Sequence, residues 1–338
     1  MLDTEQRHIM SKTLRIISQN LRKSHDALSD IINTMPDNDI HVLLLQEVPF
    51  RVNGGLTTSS QWTTILPDNH LINERRTRTA ILIRSNIATG SWEEIITRGG
   101  DVTGVRIRTA IGSIAIYDIY DDQETEGTGM VEAERLTEQA GDGEDDYVVW
   151  AGDFNAHHPA WETDENAHLH AAGRNKRRGE WLHDATVNLG MMMALPKGIG
   201  TYLTARKRTT RPDNVFCSLE LSESIITCDV REEWKPQITD HFPILLELGV
   251  MPETKERVPR KNWKETDWTA FRKTVREQLS KYDPPRECDT LDKYNMTNRI
   301  LEEAFEEATR LHVPEAKETP KRKRWWNAEL STLKKKVM

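Results

Sequence analysis

The chain of 338 residues carries 46 Lys+Arg against 54 Asp+Glu, a formal net charge of −8, with 37% hydrophobic and 30% charged residues. That balance is polar but too apolar for a disordered chain, and the length suits one large domain with an appendage, or two domains. The three cysteines, Cys217, Cys228 and Cys288, are odd in number and lack a CxxC pair, which excludes a disulfide framework and a structural zinc site and points to a reducing compartment.

In chain order, Leu14–Ser18 reads as a short apolar strand, and Ser24 caps an amphipathic helix running through Met35. His41–Gln46 is a continuous apolar run, as in a buried strand. Further strands are predicted at Thr79–Arg84, Trp92–Thr97, Val102–Arg108, Ser113–Tyr120, Tyr147–Gly152, Asn214–Ser218, Ser224–Val230 and Phe242–Leu248. Helical patterning falls at Met130–Ala140 and Arg177–Leu189, while Met191–Met193 reads as core packing. Strands in hairpin-like succession with a few interspersed helices predict packed sheets with helices outside. Met251–Lys261, apolar-poor with two prolines, reads as a linker between a domain over 1–250 and a helical, basic extension over 251–338. That extension holds predicted helices at Asp267–Tyr282, Thr290–His312 and Trp325–Lys336.

The charge is unevenly placed. Asp121–Asp146 holds eleven acids against Arg135 alone, so the remaining chain is slightly basic. Basic clusters occur at Arg75, Arg76 and Arg78; at Arg174, Lys176, Arg177 and Arg178; at Arg206, Lys207, Arg208 and Arg211; and at Lys321–Arg324. A single cluster is ordinarily a solvated face, but several flanking one site would grip phosphates.

Polar motifs stand at the ends of predicted strands: Gln19-Asn20, Gln46-Glu47, Gly152-Asp153-Phe154-Asn155 and Thr239-Asp240-His241. A lone strand-end carboxylate is usually a turn former, but this set fits one reaction. Phosphodiester hydrolysis needs a hard cation held by oxygens, a base for the attacking water, and donors for charge on the phosphorane. Glu47, Asp240 and Asn20 suit the metal, His241 the base, and Asn155, Tyr120 and a further Asp the remaining parts. The histidines His157, His158, His168 and His170 lack a standard zinc spacing and read as loop residues.

The ordered series Asn20, Gln46-Glu47, Tyr120, Gly152–Asn155, Arg211-Pro212-Asp213 and Thr239–His241 resembles the endonuclease/exonuclease/phosphatase superfamily. The run Gly152–Trp161, GDFNAHHPAW, is similar to its branch in LINE-type (non-LTR) retrotransposon polyproteins. Lys321–Leu330, KRKRWWNAEL, resembles the connector that precedes a reverse transcriptase in such polyproteins. The resemblance implies an α/β four-layer sandwich of two mostly antiparallel β-sheets flanked by helices, with a C-terminal helical extension. It implies a Mg²⁺-dependent DNA endonuclease, with Mn²⁺ as an alternative ion, whose 3′-hydroxyl product primes reverse transcription and whose other product is a 5′-phosphate. Glu47 would be the principal metal ligand, with Asn20 and Asp240 completing the metal site. His241 would be general base or phosphate-contacting imidazole, oriented by Asp213; Asp153 and Asn155 would position nucleophile and phosphate, Asp153 being also a candidate base. Tyr120 would face the scissile phosphate, and the Arg75, Arg174 and Arg206 clusters would hold DNA. Two positions depart from the family pattern: Thr239 stands where Ser is usual, and Asp121-Asp122 replaces an apolar-proline continuation.

DNA is the expected partner, with element RNA or a reverse transcriptase domain as further ones. No run approaches the roughly 18 apolar residues of a membrane span and the N-terminus lacks a signal-peptide core, so an intracellular, nuclear protein is expected. The alternatives are a repair nuclease or phosphatase of the same superfamily, and a truncated, non-catalytic nucleic-acid-binding product.

Overall fold

Alternation along single strands sorts the side chains into layers. On β1 (Leu14–Asn20), Leu14 and Ile16 pack toward one apolar cluster and Ile17 toward another, and all three are buried. β2 (Val42–Gln46) repeats this, Val42 and Leu44 facing one way, Leu43 and Leu45 the other. A strand buried on both faces belongs to a sheet covered on both sides. The computed structural model describes residues 13–34, 40–70, 77–122, 127–140, 146–252, 261–282 and 290–315. The chain divides into two compact units, Met1–Lys255 and Glu256–Met338.

The first unit also contains β3 (Trp62–Ile65), β4 (Thr79–Arg84), β5 (Trp92–Ile95), β6 (Val102–Thr109), β7 (Gly112–Tyr120), β8 (Asp146–Asp153), β9 (Met191–Met193), β10 (Tyr202–Leu203), β11 (Thr209–Thr210), β12 (Asp213–Ser218), β13 (Ile225–Val230) and β14 (Ile244–Leu248). Its helices are α1 (His25–Thr34), α2 (Thr128–Ala140) and α3 (Gly173–Asn188). One six-stranded sheet runs β13-β14-β1-β2-β4-β3, the other β5-β6-β7-β8-β12-β9, and β10-β11 form a separate hairpin. Each large sheet has one parallel pair, β1 with β2 and β7 with β8, while its other pairs are antiparallel.

The sheets face each other through Leu14, Ile16, Leu44 and Ile81 on one side and Val105, Ile116, Val149 and Val215 on the other. Ala27, Leu28 and Ile31 of α1 cover the outer face of the first sheet at Ile17 and Leu43. Met130 and Ala133 of α2, with Leu182 of α3, cover Tyr117, Trp150 and Phe216 of the second. The result is the expected α/β sandwich of two mostly antiparallel sheets between helices. Each fully buried Ile, Leu or Phe contributes about 1.5–3 kcal/mol, so these layers supply the bulk of the folding drive. Cys217 and Cys228 are free thiols inside this core.

The parallel pairs position the site. A parallel connection needs a crossover, supplied by α1 between β1 and β2 and by α2 between β7 and β8. Both crossovers leave two strands ending side by side, Asn20 opposite Gln46 and Tyr120 opposite Asp153. Asp213, first residue of antiparallel β12, also lies opposite Asp153. Gly152, just before it, has φ +148°, and a Cβ there would stand 1.9 Å from the Ile119 carbonyl oxygen, so only glycine fits.

In the second unit, α4 (Trp268–Leu279) is capped by Asp267, whose Oδ1 accepts from the backbone N–H groups of Thr269 and Ala270 at 3.0 Å. It packs on α5 (Leu291–His312) through Phe271, Val275, Ala308 and Val313. Among the described residues no helix is long and apolar enough to cross a membrane. The expected helix at Trp325–Lys336 and the cluster Lys321–Arg324 lie outside the described residues, as do Arg75 and Arg76.

Met191–Met193 packs in the core as expected, and does so as an edge strand pairing with Phe216, Cys217 and Ser218. Three features differ from the sequence reading. β3 and the β10–β11 hairpin were not expected, and α3 begins a turn earlier than Arg177.

Candidate active site

Five strand ends converge at one edge of the sandwich. Asn20 closes β1, and its Nδ2 donates to Glu47 Oε1 at 3.1 Å and to Asp153 Oδ2 at 2.9 Å. One amide thus holds a carboxylate from each sheet. Its oxygen accepts the Arg22 backbone N–H at 2.8 Å, which fixes which way the amide points. Glu47 and Asn155, immediately beyond β2 and near the end of β8, both sit at φ +46°. Non-glycine residues pay about 1–2 kcal/mol there, a strain that typically accompanies sites whose side chains must be aimed.

His241 is buried, and its Nδ1 lies 3.0 and 2.9 Å from the two oxygens of Asp213, which places the proton on Nδ1 and turns Nε2 away. Nε2 lies 4.0 Å from Asp153 Oδ2, so a single oxygen lying beside both could bond to each. Asp213 is itself braced by Thr201, whose hydroxyl donates at 2.8 Å. Tyr202 packs edge-on against the His241 ring at 4.8 Å between centroids. The Thr239 hydroxyl donates to the Asn20 carbonyl at 2.9 Å and accepts the His241 N–H at 3.2 Å, so the hydroxyl ties β1 to the loop before β14. A serine hydroxyl could do the same.

Burial works against a charged imidazole at His241, but the carboxylates of Asp213, Asp153 and Asp240 outweigh it and raise its pKa to about 9. Asp153 is pushed up to about 7 by burial and by the charge of Asp213, against the opposing pull of His241 and the donors Asn155 and Asn20. The same surroundings thus favour a charged imidazole at His241 and make the Asp153 carboxyl easier to protonate than an ordinary one. Burial, with the charges of Glu47, Asp153 and Asp122, raises the Tyr120 phenol, so it is a neutral donor. The Asn155 backbone N–H donates to Asp153 Oδ1 at 3.0 Å, and its side chain donates to the Asp121 carbonyl at 3.1 Å.

Asp240 pairs with Arg22 at 3.4 Å. Among the described residues, one group of His, Cys, Asp and Glu side chains brings its ligand atoms within 4.8 Å of one another, namely Asp153, Asp213 and His241. A groove of about 1060 Å³ opens beside Glu47, bordered by Lys23, Arg51, Arg78 and Arg98.

The basic clusters separate into two kinds. Arg174, Lys176 and Arg177 on α3, and Arg206, Lys207 and Arg208 on the β10–β11 turn, are exposed. Arg178 and Arg211, expected at DNA, are buried, and Arg78, also expected there, is half-buried at the groove and paired with acids. Arg178 is buried against Asp121 and also donates to the carbonyls of Asp121 at 2.6 Å, Asp122 at 2.7 Å and Phe154 at 3.2 Å. Arg211 is buried, bonding the carbonyls of Pro196 and Leu195 and the Asn214 side chain. Arg78 pairs with Asp101 and Asp122. The histidines of the GDFN loop are also committed: His157 bonds the buried Glu162 at 2.5 Å, and His158 stacks on His183.

Sequence reasoning missed Thr201, Tyr202, Arg22 and a buried pair beneath the site, Gln46 Nε2 donating to Asp118 across the two sheets. Gln46 alone carried a signal, its place beside Glu47.

The family model described as "Endonuclease/Exonuclease/phosphatase family" matches residues 17–241, and the chain belongs to that family. No curated protein sequence matches the chain. Among solved structures, the endonuclease domain of TRAS1, a telomere-specific non-LTR retrotransposon, is similar with a TM-score of 0.54 at 17% identity, covering 70% of this chain and 98% of that one. The AP endonuclease LMAP from Leishmania major gives 0.56 at 15% identity, over 70% and 88%. The 3′-5′ exonuclease NExo from Neisseria meningitidis gives 0.53 at 14% identity, over 70% and 99%.

Proposed function

We propose that this family member is a divalent-metal-dependent DNA endonuclease of the LINE type, nicking target DNA to leave a 3′-hydroxyl and a 5′-phosphate. The observation that carries the reading is the Asp213–His241–Asp153 array joined to Glu47 by the Asn20 amide. The LINE-type branch is supported by the Gly152–Trp161 run and by the likeness to the TRAS1 domain. On this reading residues 1–250 are the catalytic domain and 251–338 a connector toward a reverse transcriptase, with DNA and element RNA as partners and the nucleus as the place of action.

The donor chemistry fits a hard cation. Carboxylate oxygens of Glu47 and Asp153 flank one amide, and the described thiols lie in the core, which suits Mg²⁺ or Mn²⁺. Glu47 would hold the ion, with Asn20 beside it and Asp240 adding charge. Bound there, it would supply charge neutralisation at the scissile phosphate.

The protein's own groups divide the remaining work. Asp153, with a pKa near the operating pH, takes the proton of the attacking water. Cationic His241 donates from Nε2 to a non-bridging phosphate oxygen, while Tyr120 and Asn155 add neutral donors. The water oxygen bonds to phosphorus as the P–O3′ bond breaks with its electron pair going to O3′, and O3′ takes a proton from solvent water to leave as a hydroxyl, while the proton held on Asp153 returns to solvent.

Supercoiled plasmid tests this directly. Mg²⁺-supported nicking should vanish with EDTA and in a folded His241→Ala variant. Cleavage confined to abasic-site DNA would instead favour the repair class of the Leishmania structure. DNA binding without nicking at any Mg²⁺ or Mn²⁺ concentration would refute the enzyme and leave a binding product.

A further inference from the structure

Arg78 belongs by sequence to a basic cluster suited to phosphate, but its surroundings suit a different task. Thr79, the first residue of β4, pairs with Gln46, and the Val48 N–H donates to the Arg78 carbonyl at 3.3 Å. Arg78 therefore stands beside Glu47 at the edge of the first sheet. Its guanidinium crosses the mouth of the sandwich to the second sheet. There Nε and Nη2 make a two-pronged pair with Asp101 at 2.6 and 2.7 Å, Nη1 bonds Asp122, and the guanidinium carbon lies 5.1 Å from the centroid of the Tyr120 ring. Asp101 is also held by the Thr128 hydroxyl at 3.3 Å, and its carbonyl accepts the Tyr120 N–H at 2.9 Å.

Two consequences follow from charge and geometry. One cation shared by two carboxylates has its charge taken up by them, which leaves little of it to attract a phosphate. A planar guanidinium held by a fork on one side fixes whatever aromatic ring it covers, and lysine cannot reproduce that arrangement. The pair Asp121-Asp122, where the family pattern has an apolar-proline continuation, provides the second anchor through Asp122.

We propose that Arg78 is a positioning residue for the nicking reaction: clamped between Asp101 and Asp122, it holds the Tyr120 ring, and with it the phenol, against the Glu47–Asp153 edge. It ties the two sheets together where the substrate phosphate enters. The proposal rests on the endonuclease reading above.

The experiment separates a positioning residue from a phosphate contact. Arg78→Met should lower kcat for plasmid nicking about 100-fold, the scale of a misplacement of about 1 Å in a catalytic group. The Kd for a duplex oligonucleotide and its salt dependence should change no more than in Arg78→Met/Asp101→Asn, which conserves net charge. In a Tyr120→Leu background the same change should cost nothing further in kcat. A phosphate contact would instead weaken Kd, flatten the salt slope by about 0.9 and spare kcat at saturating DNA, and that result overturns the proposal, as does an undiminished Arg78 effect without the Tyr120 ring. If Arg78→Met does not fold, Asp122→Asn loosens the clamp without removing a cation, and it should lower kcat at unchanged or tighter Kd; an unchanged kcat there overturns the clamp. A readout independent of activity is the ¹³C-tyrosine spectrum, with Tyr120 assigned through Tyr120→Phe. Arg78→Met, or Asp122→Asn in its place, should move the Tyr120 signal where Arg206→Ala does not. A moved signal in a protein that never nicks would refute the endonuclease reading and keep the clamp, and an unmoved one would refute the clamp alone.

Discussion

Replacing Arg178 by methionine removes a guanidinium from a site where every near neighbour is an acceptor. It bonds the Asp121 carboxylate and the carbonyls of Asp121, Asp122 and Phe154, so it holds the chain just beyond Tyr120 to the chain just beyond Asp153. Asp121 is fully buried, and its Oδ1 already accepts the N–H groups of Gly129 and Met130 at the start of α2. Truncating one partner of such a pair leaves an uncompensated buried charge, which costs about 3–5 kcal/mol. Methionine keeps most of the stem, so the packing loss is small beside that figure. Urea unfolding followed by far-UV circular dichroism should show the midpoint of the main transition falling accordingly. Asp121→Asn should recover part of the loss in the Arg178→Met background, because the neutral amide needs no cation. A loss under about 1 kcal/mol, or an Asp121→Asn change that adds fully to it, would refute the reasoning and return Arg178 to the surface.

The pH dependence of kcat/KM for nicking should be bell-shaped, with an acid limb above the ordinary carboxylate range as Asp153 deprotonates and an alkaline limb above the ordinary imidazole range as His241 loses its proton; the residual nicking of His241→Gln should lack the alkaline limb. His41, buried beside Arg15 and Arg84, has its pKa lowered to about 4 by burial first and by the two guanidinium charges next, and its Nδ1 accepts the Arg15 backbone N–H at 3.1 Å. The unfolded chain takes up this proton more readily, so stability is full above pH 6.5 and about 3 kcal/mol is lost as pH falls toward 4, a slope that urea midpoints should show and that His41→Gln should flatten. For DNA affinity, Arg177→Ala and Arg206→Ala should each flatten the plot of log K against log salt by about 0.9, whereas Arg211→Met, with its guanidinium buried among carbonyls, should leave that slope unchanged.

Why some of this was legible and some was not follows from where each signal resides. The strands of the two sheets carry apolar runs such as Val42–Leu45, and their ends carry polar residues in series, so local sequence marks both element and site. β10 and β11, two residues each, are defined by the pairs Tyr202–Thr210 and Leu203–Thr209, and nothing in a pattern of that length separates them from loop. Thr201 and Tyr202 brace Asp213 and His241 only because that hairpin returns beside β14, a long-range fact. The error at Arg178 is different, because the information was present. Arg174, Lys176 and Arg177 are exposed, while Arg178, Leu182, Ala185 and Thr186 share the buried stripe of α3 at spacings of four, seven and eight. Counting charges in a cluster hid the helical phase that distinguishes one arginine from its three neighbours.

The same distinction changes what the net charge of −8 means for DNA binding. The acidic segment beginning at Asp121 need not be set against the basic clusters as a rival field, because its first two residues are their partners: Asp121 takes Arg178 and Asp122 takes Arg78. Each pair engages a cation of the clusters and uses it to hold a strand end of the candidate site, one behind Tyr120 and Asp153, the other over the Tyr120 ring. Of these clusters, the cations left for phosphate on the proposed reading are the exposed ones of α3 and of the β10–β11 turn, the latter on the hairpin beside which Thr201 and Tyr202 brace Asp213 and His241. Affinity and catalysis are therefore assigned to different arginines of the same sequence clusters, and a substitution in either set should move one measurement and leave the other in place.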